Sequence, residues 1–268
     1  MKFSQIAKFM KHILHRLRNL SILWAMLALC GLIAWDIYGL DFIPFTKTFG
    51  NTPWNGISYH AVSGVCSIGL MAIFCPGALS RLRFYSPLKE TAVGLVVICL
   101  VSSSFFWEVR VPGFPAWEIA EAILFTVMIG VGEDFFNRGL IFGMFERFGW
   151  GLAIAVSSLT FGLEHYTNML WGGQDFAQTN AQVIDAAAFG VVGCSLMIYT
   201  GNIWFSVVMH GTYDFSLVTT SHIDYVKQLT ARVDWVPIIV EALVYFAISA
   251  VLLRMAKLKR VSEAQYRF

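Results

Sequence analysis

Residues 236–256, VPIIVEALVYFAISAVLLRMA, contain only Glu241 and Arg254 as charged side chains. A helix rising 1.5 Å per residue needs about 20 apolar residues to cross a bilayer, so this stretch reads as a transmembrane span. Working outward from it, runs of similar character recur at 20–40, 57–79, 91–107, 118–146, 150–170, 183–200 and 202–221, with 236–256 as the eighth. Composition agrees: 57% of the 268 residues are hydrophobic and 13% charged, with a mean hydropathy of +0.65. Soluble domains carry about 25% charged residues, and only a lipid solvent tolerates so much apolar surface. A disordered chain, a basic nucleic-acid binder and an ordinary water-soluble enzyme are all excluded.

The expected architecture is therefore an all-α, polytopic membrane protein with about eight transmembrane helices. It forms a single membrane domain over 1–268, with a basic cytoplasmic leader at 1–19. The Lys and Arg distribution sets the orientation, because cytoplasmic loops retain the positive charge. With the N-terminus inside, only Lys47, Arg110, Lys227 and Arg232 of the 19 basic residues fall outside. Both ends are then cytoplasmic, in a membrane of the bacterial inner type. Trp54, Trp107, Trp117, Trp171 and Trp235 fall near outer span ends, as an interfacial belt requires. The five cysteines have no CxxC pair and read as core residues.

Ionisable side chains inside spans are costly, and each is a functional-site candidate. Three clusters qualify: Glu133-Asp134-Phe135-Phe136-Asn137-Arg138-Gly139 on the fourth span, Phe161 to His165 on the fifth, and His210 to Asp214 on the seventh. Asp134 and Arg138 are four apart and pair on one helical face, which makes them scaffold. Glu133 points about 100° away and remains the free carboxylate, with Asn137 one turn below as a candidate to orient it. His210 and Asp214 share a face, and His165 adds a second imidazole. Gly130, Gly132, Gly162 and Gly211 would let the helices approach closely. Such a set can hydrolyse a bond, with Glu133 taking a proton from water and imidazole serving the leaving group or oxyanion. It could equally bind zinc through Glu133, His165, His210 and Asp214, since zinc takes N and O ligands.

The three clusters resemble the signature of the CPBP (Abi) family. That family comprises the type II CAAX prenyl endopeptidases and their bacterial relatives, including bacteriocin-processing and self-immunity proteins. The pattern Glu-Glu-x-x-x-Arg, Phe-x-x-x-His, His-x-x-x-Asn or Asp is met by Glu133-Asp134-x-x-x-Arg138, Phe161-x-x-x-His165 and His210-x-x-x-Asp214. The matching core runs from about 117 to 221. The resemblance implies intramembrane cleavage of a peptide bond in a protein or peptide substrate. Glu133 and His165 would activate water, and His210 with Asp214 would hold the oxyanion. Both metalloprotease and metal-independent glutamate mechanisms are known among the relatives. Two departures stand out: Asp134 replaces the second Glu, and Asp214 accepts hydrogen bonds where Asn could donate one.

Two other functions use the same residues. A transporter could run a proton or ion relay along them, although no inverted repeat is visible. A catalytically silent scaffold or immunity protein could retain them for binding. Glu164 reads as a bystander paired from another span. Asp36, Glu118, Glu121, Asp185 and Glu241 read as interfacial, and His60 and His222 as facing the outer interface.

Overall fold

The computed structural model describes residue 13 and residues 21–39, 53–103, 114–216 and 233–265, and these contain helices and no strands. The helices are α1 (Ile22–Ala34), α2 (Pro53–Phe74), α3 (Leu88–Val101), α4 (Ala116–Asp134), α5 (Trp150–Glu164), α6 (Phe176–Thr200), α7 (204–216) and α8 (Trp235–Gln265). Each overlaps one of the eight expected spans. Three of them, α2, α6 and α8, are long and apolar enough to cross a membrane. The basic and histidine residues of the leader, together with Lys47, Trp107, Arg110, His222, Lys227, Arg232 and Arg267, lie outside the described residues.

One end of the bundle gathers basic side chains. Arg81 pairs with Glu146 at 2.6 Å, Lys259 pairs with Glu90 at 2.6 Å, and the Arg260 guanidinium lies 3.8 Å from the Trp150 ring centre. The 3₁₀ turn Pro76–Leu82 joins this end to the start of α7, where the Ile203 amide donates to the Arg81 carbonyl at 3.0 Å. Trp54, Trp117 and Trp235 open α2, α4 and α8 at the opposite end and are exposed there.

Two features shape the middle of the bundle. First, α4 runs into a π-helical stretch, Phe135–Ile141, and ends as Phe142–Phe145. The whole π stretch is buried, and Phe135, Phe136, Leu140, Ile141 and Phe142 form the centre of the main core with Met71, Ala153 and Met197. Second, α5 breaks at His165 and continues as the short helix Tyr166–Leu170. Lipid tails are as apolar as leucine, so association of such helices rests on close packing and interhelical polar contacts. Small residues supply the approach. A Cβ at Gly162 would stand 2.6 Å from the Val183 carbonyl oxygen of α6, and one at Gly130 would stand 2.8 Å from that of Val207 in α7.

Candidate active site

The close approaches at Gly130 and Gly162 bring α4, α5, α6 and α7 together around Arg138. Its side chain is fully buried, with Nη1 3.0 Å from Asp134 Oδ1 and the guanidinium 3.8 Å from the centre of the Phe161 ring. The pair sits one turn apart across the start of the π stretch. Buried charges persist only when paired, and this pair neutralises itself. Phe161 also packs edge-to-face against both histidines, with ring centres 5.1 Å from His165 and 5.4 Å from His210. One aromatic ring thus packs against the guanidinium and both imidazoles and fixes their positions.

The Asp134 carboxylate has a second partner: its Oδ1 lies 3.2 Å from His210 Nδ1. An ionised carboxylate only accepts, so Nδ1 carries the proton and donates. This contact directs Nε2 the other way, 3.7 Å from Glu133 Oε2 and 3.5 Å from Asp214 Oδ2. The chain Arg138–Asp134–His210 therefore ends on two carboxylates in a cavity. His165 is set by the same logic. Its Nδ1 lies 2.9 Å from the Phe161 carbonyl, which can only accept, so a neutral His165 presents the Nε2 lone pair.

Glu133, His165, His210 and Asp214 all line one cavity of about 450 Å³. Glu133 and Asp214 retain 31% and 16% side-chain exposure while His210 keeps 6%, so the carboxylates reach the opening and the imidazole forms its floor. Thr167, Asn168 and Trp171, in the segment after the break in α5, form part of the rim. Asn137 does not reach the Glu133 carboxylate. Its Nδ2 donates to the Glu133 carbonyl at 3.2 Å and to Glu164 Oε2 at 3.0 Å. The cause is the π stretch, whose i→i+5 bonding displaces the i−4 hydrogen bond of a regular helix. Single π turns inside α-helices occur often at functional sites.

Sequence reading missed much of the cavity wall. Asp36, His60 and Glu164 were expected at interfaces or as bystanders, yet all three line the cavity with Tyr59 and Ser63. Ser63 donates to Asp36 Oδ1 at 3.2 Å, and Tyr59 to the Asp36 carbonyl at 2.8 Å. His60 is held against Gly132, where a Cβ would approach its Nδ1 to 2.8 Å. Asp185 and Glu241 were also expected at interfaces, but they line a second cavity of about 350 Å³ between α6, α7 and α8. The available signal was charge inside an apolar run, which applied to Asp36, Glu164, Asp185 and Glu241 alike. What it lacked was the helical face, because no motif fixed the rotation of α1, α2 or α8.

Among the described residues, no group of three or more His, Cys, Asp or Glu is placed to hold a metal ion. With His210 Nδ1 on Asp134 and His165 Nδ1 on the Phe161 carbonyl, both rings keep Nε2 toward the cavity, the arrangement that zinc-ligating histidines also adopt. Glu133, His165, His210 and Asp214 are not gathered at ligand spacing in this arrangement. No curated protein and no solved structure matches the chain. The segment that carries all three clusters, residues 115–216, does match a family model, that of the Rce1-like type II CAAX prenyl endopeptidases, in agreement with the CPBP (Abi) resemblance of its motifs.

Proposed function

We propose that the protein is an intramembrane endopeptidase that hydrolyses a peptide bond with a water activated by Glu133 and His165. The observation that carries this reading is the position of His210 Nε2, between Glu133 Oε2 at 3.7 Å and Asp214 Oδ2 at 3.5 Å. A base and a hydrogen-bond donor thus stand side by side in one cavity, within reach of a single carbonyl group.

The Glu133 carboxylate takes a proton from water, while His165 Nε2 accepts the water's other hydrogen and aims its oxygen. The water oxygen bonds to the carbonyl carbon, and the carbonyl oxygen becomes an oxyanion. His210, charged and held by Asp134, donates Nε2–H to that oxyanion. Asp214, beside the same nitrogen, supports the imidazolium by charge and fixes its ring. Glu133 then returns its proton to the leaving nitrogen, the C–N bond breaks, and the carboxylate is restored. No step requires a group beyond the chain and water. Natural substrates fall within the peptide class, and nothing in the site reports on a prenyl group.

The test is cleavage of a mixed peptide library by the purified chain in liposomes, with products identified by mass spectrometry. Cleavage by the wild type that is lost in His165→Ala supports the reading, and equal cleavage by both contradicts it.

A further inference from the structure

The second cavity, about 350 Å³, meets the first at His165, Gln182, His210 and Asp214. A peptide lying across His210 would therefore reach into it with a side chain next to the scissile bond. Its walls combine aromatic faces with two carboxylates. Phe189 and Tyr213 stand with ring centres 5.2 Å apart on one side. Asp185 of α6 and Glu241 of α8 provide the charge.

Each carboxylate is held by a tyrosine. Tyr213 donates to Asp185 Oδ2 at 3.1 Å, and Tyr245 donates to Glu241 Oε1. The other Asp185 oxygen, Oδ1, is buried and has no hydrogen-bond partner among the described residues. Nor does any Lys or Arg among the described residues pair with Asp185 or Glu241. A buried acceptor without a donor is costly, and two carboxylates facing one cavity repel each other. A cation in the cavity relieves the repulsion of the two carboxylates, and aromatic faces attract it further.

We propose that this cavity is the subsite for a lysine or arginine side chain of the substrate, bound by Asp185 and Glu241 beside the scissile bond. The proposal rests on the endopeptidase reading for its orientation relative to the cut. A purely structural role, with the tyrosines tying α6, α7 and α8 together, would not distinguish lysine from an uncharged side chain of the same length.

The experiment uses the full chain in detergent and fluorescein-labelled peptides that differ at one central position: lysine, arginine, norleucine or glutamate. Anisotropy reads binding and mass spectrometry reads cleavage. Lysine and arginine peptides should bind about tenfold tighter than the norleucine peptide, the scale of a hydrogen bond to a charged group. Asp185→Asn and Glu241→Gln should each remove most of that preference without weakening the norleucine peptide, and Asp185→Glu should keep it. Equal binding of lysine and norleucine peptides, a preference that survives both substitutions, or no binding of any peptide overturns the subsite. Should a variant fail to fold, the wild-type ratio alone decides. Cleavage separates the two ideas. Preferential binding without cleavage keeps the subsite and rejects the endopeptidase, and cleavage without preference does the reverse.

Discussion

His210 places Nδ1 3.2 Å from Asp134 Oδ1, and Asp134 is itself anchored 3.0 Å from the buried Arg138. Asp134 thereby joins the motif's ion pair to its imidazole and determines which ring nitrogen faces the cavity. Asp134→Asn keeps the shape but removes the charge that holds the His210 imidazolium in place. We expect kcat to fall by about 10²-fold or more with KM nearly unchanged, measured on any cleaved peptide. Asp134→Ala should cost more, about 3–5 kcal/mol of stability, because it leaves Arg138 charged and unpaired in the core. A melting curve of the purified variant checks this.

Asp214 stands beside the same imidazole, with Oδ2 3.5 Å from Nε2. In the proposed scheme its part is electrostatic, so Asp214→Asn should lower kcat about tenfold and Asp214→Ala somewhat further, with thermal stability little changed. Full activity in Asp214→Ala would remove Asp214 from the site.

Metal dependence is open to a direct check. The proposed water activation uses no metal and the four residues are not gathered at ligand spacing, so the purified protein should hold well below one zinc per chain, and peptide cleavage should persist in chelator. Stoichiometric zinc that disappears in His165→Ala and His210→Ala would make both Nε2 atoms ligands and would replace the water-activation scheme.

Helix contact predicts a further outcome. A methyl group at position 162 would meet the Val183 carbonyl at 2.6 Å and Ala187 Cβ at 2.9 Å, neither of which can swing away. Gly162→Ala should therefore force α5 from α6 and cost about 1–3 kcal/mol. His165 follows three residues on, so peptide cleavage should fall together with the melting temperature.

At the basic end, burial alone would push the Glu90 carboxyl up, but the Lys259 ammonium at 2.6 Å outweighs it and holds the group below its ordinary value of 4.5. A depressed carboxylate stabilises the fold above its unfolded-state pKa and loses that contribution as the pH falls through the folded one. Lys259 is partly exposed, so the pair is worth about 1 kcal/mol or less. The melting difference between wild type and Lys259→Met should be small at pH 7 and fade as the pH falls below the carboxyl's ordinary value of 4.5.

Much of this arrangement was legible from sequence, and the reasons differ by residue. The Asp134–Arg138 pairing follows from i,i+4 spacing, and the expected close approaches at Gly130, Gly132, Gly162 and Gly211 each meet a neighbouring element. The Asp134–His210 contact was not legible, because it links positions 76 apart through the rotation of α7 against α4. The π stretch was equally hidden. No proline marks Phe135–Ile141, its one glycine, Gly139, packs against Met71, and its widened turn redirected Asn137 to Glu164. Asp36, in the π-helical turn Trp35–Gly39 after α1, and His60 of α2 lie outside the three motif-bearing spans, so no spacing in the sequence turned them toward the cavity.

The most direct test of the account is Glu133→Gln. The change preserves size and hydrogen-bonding shape but removes the base. The account predicts that this variant accumulates and melts as the wild type does, while kcat/KM on a cleaved peptide falls by about 10²-fold or more. Cleavage at the wild-type rate in a folded Glu133→Gln protein would contradict it.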